Sequence, residues 1–174
     1  MKSYEILLVA KSDILKKVSK ALHQENYRIL TTTNGYEALD ILDKHRVELI
    51  ICDCELPYMS AVEFLRRVKE KYPLSVRIIL TNKENLKTAI RAVEQRKIYR
   101  FLLKPWYEEE LRITVRQALA YYQLWKENKT LVDAVCHQNR LLNQLNHKHN
   151  RTDIIQSPEQ SPIKHREPEK EYVN

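Results

Sequence analysis

The run VELIICDCELP (47–57) carries an apolar stretch into Asp53, and a carboxylate brought to the end of such a stretch needs a chemical reason. Its neighbours Cys52 and Cys54 have C-x-C spacing, which raises the question of a metal. Strand alternation sends both thiols to one side and the carboxylate to the other, and no second Cys/His pair lies nearby, so a structural zinc is not expected. Other apolar runs also end on reactive side chains. Ala10, Lys11 and Ser12 follow residues 4–9, Thr81 and Asn82 follow residues 76–80, and Lys104 and Pro105 follow residues 99–103. An aspartate, a threonine and a lysine on three strand tips suit acceptance of a phosphoryl group. They supply a carboxylate nucleophile, a hydroxyl for the added oxygens and an ammonium to balance their charge.

The elements that must position these residues are legible in the hydropathy pattern. Five short runs rich in β-branched residues occur at 4–9, 27–33, 47–52, 76–80 and 99–103. Stretches with helical spacing lie between them, marked by Ile14, Val18 and Leu22, by Ala38, Leu39 and Leu42, by Val62, Leu65 and Val68, and by Leu86, Ala89, Ile90 and Val93. Ser12 or Asp13 is the expected cap of the first helix, and the Asn34-Gly35 turn opens the second. Regular strand–helix alternation predicts an α/β fold, a parallel sheet covered by helices on both faces. The first, third and fourth runs are almost wholly apolar, as expected of strands buried on both sides. Sites in such sheets form at the carboxyl ends of the strands, where the residues above collect.

The fifth helix is predicted to open after Pro105 on Glu108, Glu109 and Glu110, carboxylates suited to the positive end of a helix dipole. No Gly or Pro interrupts it before Pro158. A stripe steps along it by three and four through Tyr121, Leu124, Asn128, Leu131, Val135, Gln138, Leu142 and Leu145. The spacing fits a coiled coil with Asn128 and Gln138 as polar register residues, or an amphipathic extension packed on its own domain. The expected organisation is a globular domain over 1–120, a helical extension over 121–150 and a polar, Pro-rich disordered tail over 151–174.

Composition bounds the remaining classes. The 174 residues are 43% hydrophobic and carry a net charge of +7, with a single glycine. One glycine argues against any Gly-rich phosphate cradle. No run of about 18 apolar residues is present, so no membrane span is expected. The N-terminus does not read as a signal peptide, and three cysteines without a paired framework point to a cytoplasmic setting. The basic residues Arg66, Arg67, Lys69 and Lys71, and Arg91, Arg96, Lys97 and Arg100, read as a solvated or protein-binding face rather than a nucleic-acid site. His137, His147 and His149 read as surface histidines.

ICDCELP around Asp53, VRIILTN around Thr81, YRFLLKPW around Lys104 and NGYEALDIL after the second run together resemble the receiver domain of bacterial two-component response regulators, over residues 3 to 120. The resemblance implies a (βα)5 flavodoxin-like, doubly wound sheet of strand order 2-1-3-4-5. It also implies Asp53 as acceptor of phosphate from a histidine kinase, Thr81 as the residue sensing the phosphoryl group, Lys104 contacting it, and Phe101 as an aromatic switch. A cis Lys104-Pro105 bond is implied as well. Receivers normally place two adjacent acidic residues directly after the first strand, where they hold Mg²⁺. This sequence has Ala10 and Lys11 there, so the Mg²⁺ site is expected to be weak or lost. Two readings of Lys11 stand side by side: an ammonium paired with Asp53 in place of the metal, or a side chain reaching to solvent. Asp13 is read as a helix cap, and Tyr58 and Met59 of YMSA (58–61) as overhanging the pocket.

The resulting expectation is a signalling protein without an output module. It acts by protein contact with a histidine kinase or other signalling partner, is not an enzyme, and dimerises through residues 121–145. The alternatives are a functional phosphoacceptor at Asp53 and, from another class, a nucleic-acid accessory protein using the basic surface.

Overall fold

The computed structural model describes residues 3–155, with side chains up to residue 145. The tail expected from residue 151 therefore lies, beyond Ile155, outside the described residues, and so do the side chains of His147 and His149. Five strands alternate with five helices. The elements run β1 (Tyr4–Val9), α1 (Ser12–Leu22), β2 (Tyr27–Thr32), α2 (Gly35–Lys44), β3 (Leu49–Asp53), α3 (Ala61–Lys71), β4 (Val76–Thr81), α4 (Leu86–Glu94), β5 (Arg100–Leu103) and α5 (Glu108–Ile155). Every strand pair is parallel, and the order is β2-β1-β3-β4-β5, as the resemblance implied. Among the described residues, those up to Thr130 form one compact unit and those from Leu131 a second.

Side-chain alternation splits the core into two layers. Ile6, Leu8, Leu49, Ile51, Ile78, Leu80 and Leu102 face α1 and α5, where Val18, Leu22, Leu111, Val115 and Ala118 meet them. Leu7, Val9, Ile50, Cys52 and Ile79 face α2, α3 and α4, packing on Ala38, Leu42, Phe64, Val68 and Ala89. Each fully buried Leu, Ile or Val contributes about 1.5–3 kcal/mol of apolar transfer. Phe64, among the largest of the buried side chains, anchors the second layer. Cys52 and Cys54 both fall in that layer, on one side of β3, as alternation required. Burial pushes both thiols above their ordinary pKa, Cys52 most strongly.

Local signals explain most element ends. Asn34 caps α2 by accepting from Tyr36 N, and Ser60 caps α3 by accepting from Glu63 N. The first helix differs from expectation. Lys11 is its N-cap residue and makes no side-chain cap bond, while Asp13 lies in the first turn. Asp13 thus favours the helix through the dipole rather than by capping. The basic stretch on α3 is partly paired: Glu63 accepts from both Arg66 and Arg67, Glu70 accepts from Arg66, and Lys71 pairs with Asp43 of α2, while Lys69 reaches the Gln95 carbonyl. The two guanidiniums hold the Glu63 carboxyl down to about 2.

On α5, Tyr121, Leu124, Leu131, Val135, Leu142 and Leu145 are all exposed, and so are Asn128 and Gln138 between them. No described helix is long and apolar enough to cross a membrane.

Candidate functional site

Asp53 closes β3 in the same alternation phase as Leu49 and Ile51, so its side chain falls on the α1/α5 side of the sheet. Lys104 shares the phase of Leu102 one strand pair further on. These two side chains meet: Lys104 Nζ donates to Asp53 Oδ1 at 2.7 Å. Asp53 is fully buried and Lys104 only about a fifth exposed, so the pair is held largely out of water. Asp53 Oδ2 is the one buried side-chain oxygen or nitrogen among the described residues without a hydrogen-bond partner. A native structure rarely leaves such an atom unpaired without a role for it. The peptide bond between Lys104 and Pro105 is cis, as the resemblance implied.

The pair lies in a cleft of about 630 Å3 bounded by the β1–α1 turn, α1 and the segment leading into α5. Lys17 and Lys20 of α1, together with Trp106, line its outer part. Thr81 departs from the expected three-way convergence. Its phase along β4 is that of Ile79, so it faces α3 and α4 and lines a separate cavity of about 200 Å3 with Cys54 and Asn85. Its hydroxyl donates to the Asn82 carbonyl at 3.3 Å, and its own carbonyl accepts from Lys104 N at 2.7 Å. Phe101 is half-buried in the same α2/α3/α4-side layer.

The residues after β1 are as the sequence placed them, and their partners decide between the two readings of Lys11. Ala10 is buried and apolar. Lys11 Nζ donates to Glu55 Oε2 at 2.8 Å, so its partner is Glu55 rather than Asp53. The ammonium holds the Glu55 carboxyl below the usual carboxylate range, and Glu55 holds Lys11 above its ordinary value. The reason is geometric. Glu55 sits two residues past the strand end, on the rim where the exposed Lys11 stem already lies, whereas Asp53 is at the floor and taken by Lys104.

Glu55 extends this contact into a strap across three strand tips. Its Oε1 accepts from Asn82 Nδ2 at 3.0 Å, and Asn82 Oδ1 accepts from both Asn85 N and Asn85 Nδ2 at 2.9 Å. Lys11, Glu55, Asn82 and Asn85 thus tie the β1–α1, β3–α3 and β4–α4 loops above Asp53. Residue types alone could have flagged Glu55, an acid two positions beyond a strand-end aspartate and opposite a lysine on a neighbouring tip. Tyr58 and Met59 do not overhang the cleft. Tyr58 adopts φ 64° and turns its ring to solvent, and Met59 is buried against Gly35.

Mg²⁺ in a receiver needs one or two carboxylates plus waters and phosphate oxygens. Asp53 offers one unpartnered oxygen, but the adjoining positions supply a methyl group and an ammonium. Glu55 is paired with Lys11, and Asp13 and Glu108 are the other carboxylates lining the cleft. Among the described residues no three His, Cys, Asp or Glu side chains group as metal ligands.

Residues 6–116 match the response regulator receiver domain family. The chain is 38% identical over 95 residues to the hydrogenase transcriptional regulatory protein HoxA of Cupriavidus necator, covering 55% of this chain and 20% of that one. A second similar protein, the two-component response regulator ORR3 of Oryza sativa subsp. indica, is 36% identical over 90 residues, covering 51% of this chain and 69% of its own length. The chain therefore spans about a fifth of the hydrogenase regulators it matches. Among solved structures, the signal receiver domain of an HD domain-containing protein from Pseudomonas fluorescens Pf-5 superposes with TM-score 0.68 at 34% identity, over 73% of this chain and 94% of that one.

Proposed function

Because the chain belongs to the response regulator receiver domain family, a non-enzymatic signalling module, we propose that it signals by protein contact with Mg²⁺-dependent phosphorylation of Asp53 weak or absent. The observation that carries this reading is the Lys11–Glu55 pair. It sets an ammonium and a neutralised carboxylate where the family gathers acids around a metal. Phosphoryl transfer without that dication lacks its main neutraliser of developing charge. The polar strap from Lys11 to Asn85 supports the same view, since it holds the loops around Asp53 in one arrangement through protein contacts alone.

The test is intact mass after incubation of the full chain with an acyl phosphate donor and Mg²⁺, with Asp53→Asn as control. The expected result is no mass gain that depends on Asp53. Substantial gain of one phosphoryl group, abolished by Asp53→Asn, would establish the second reading, in which a histidine kinase phosphorylates Asp53. That reading has its own support in the unpartnered Asp53 Oδ2 and the well-placed Lys104. The basic surface gives little support to nucleic-acid binding, because Arg66, Arg67 and Lys71 already have carboxylate partners.

A homodimer through residues 121–145 is part of the proposal. Its support is the row of exposed apolar side chains at three-and-four spacing, interrupted by Asn128 and Gln138. Sedimentation equilibrium is expected to give a dimer that the double substitution Leu131→Asp/Leu142→Asp converts to monomer. A monomer before substitution would remove this part of the proposal. Partner docking and the cytoplasmic setting follow from the family reading and stand with it.

A further inference from the structure

Arg77 near the start of β4 is a buried charge on an otherwise apolar strand, away from the Asp53 cleft. It is 8% exposed, and among the described residues it has no carboxylate partner. Two carbonyls account for part of its donor set: Nε donates to Lys97 O at 2.7 Å and Nη1 to Ser75 O at 2.7 Å. Nη2 makes no hydrogen bond among the described residues. Burial pulls its pKa below the ordinary value, as expected of a guanidinium withheld from water with no acid beside it. Capping two carbonyls does not require a guanidinium, and a buried charge without a counter-ion is costly.

The surroundings say what would complete it. Arg77 lines a cleft of about 550 Å3 between the end of α4, the start of β5 and α5, a size in the range of small-ligand pockets. The other charged groups lining it, Lys69 and Arg96, are also cations, and no carboxylate lines it. Three aromatic residues also line it. Tyr99 and Tyr121 lie 4.8 Å apart between centroids, and Trp125 follows Tyr121 at 6.4 Å. A buried guanidinium with two of its nitrogens on carbonyls thus shares one cleft with three aromatic rings and two further cations.

We propose that this cleft is a binding site for a small planar carboxylate. Its oxyanion would take the Nη end of the Arg77 fork, where Nη2 is unbonded, and its ring would lie along the aromatic row that ends on Trp125. A guanidinium suits a carboxylate bidentately, where a lysine offers only a point charge. Aromatic side chains supply the flat apolar surface that inorganic phosphate cannot use. The site lies apart from the Asp53 cleft and does not depend on whether Asp53 is phosphorylated.

Fluorescence titration tests it. The chain has two tryptophans, so a Trp106→Phe background leaves Trp125 as the reporter inside the cleft. Benzoate is expected to change Trp125 emission saturably, while benzamide, its neutral isostere, and inorganic phosphate bind about tenfold more weakly or not at all. Arg77→Lys, which keeps the charge but not the fork, is expected to weaken benzoate about tenfold with circular dichroism unchanged. Should Arg77 variants fail to fold, Arg96→Asn removes a rim cation at a position whose φ of 52° asparagine tolerates, and it is expected to weaken benzoate several-fold. No saturable response, an equal response to benzamide, or unchanged affinity in the folded variants would overturn the assignment.

Discussion

Lys104→Met lowers the unfolding free energy by about 3–5 kcal/mol, the loss seen when one member of a buried ion pair is removed. Asp53 is fully buried, its Oδ1 is held by Lys104 at 2.7 Å, and its Oδ2 has no partner at all. Methionine keeps the apolar stem of the lysine, so the loss reports the charge and not the packing. What remains is a carboxylate with only the distant Glu55 N–H, at 3.4 Å, to offset its burial. The double variant Asp53→Asn/Lys104→Met leaves neither charge and is expected to recover most of the stability. Asp53→Asn alone is expected to be milder than Lys104→Met, because the partly exposed ammonium can turn toward water. Urea titrations of the four proteins close a double-mutant cycle. A Lys104→Met cost below about 1 kcal/mol would mean that Asp53 is not carried by this pair.

Much of the fold was legible because two periods, 2 and 3.6, are both written strongly in this chain. The runs ending at Val9, Asp53 and Thr81 are apolar on both faces apart from Glu5 and Arg77 near their starts, the pattern of strands in a doubly covered parallel sheet. The positions of Asp53 and Lys104 followed from the strand ends. The same alternation, carried through β4, also accounts for Thr81 facing α3 and α4, a consequence of phase that strand-tip reasoning passes over. The partner of Lys11 was not legible. Glu55 lies 44 residues away, and which carboxylate reaches an ammonium across that separation depends on loop geometry. Tyr58 and Met59 were misplaced for a related reason: one left-handed residue reverses which of two neighbours points inward. The charge of α3 shows the same limit, since the sequence gives its cations and acids but not which of them pair.

Ala10→Asp/Lys11→Asp is expected to raise Mg²⁺-dependent phosphorylation of Asp53 on the order of tenfold or more, if charge neutralisation is what the natural site lacks. The substitution supplies two carboxylates at the tip of β1. It also removes the ammonium that occupies Glu55, so the rim of the cleft changes from balanced to strongly acidic. Such a rim favours a dication, and the dication in turn screens an incoming phosphoryl group from Asp53. Lys11→Asp alone breaks only an exposed ion pair, so its effect on stability is expected to be small. Ala10→Asp carries the structural risk, because Ala10 is 2% exposed in the α1/α5-side layer. Far-ultraviolet circular dichroism and thermal melts with and without Mg²⁺ separate that risk from the chemistry: a folded variant that binds the ion melts higher when it is present. The labelled fraction, read by intact mass with an acyl phosphate donor, must vanish on chelation of Mg²⁺ and in the Asp53→Asn background. A folded double variant whose melting responds to Mg²⁺ but whose Asp53 stays unlabelled would place the block elsewhere. The remaining obstacle would then be the strap through Glu55, Asn82 and Asn85, or the Lys104 contact that already occupies one oxygen of the acceptor.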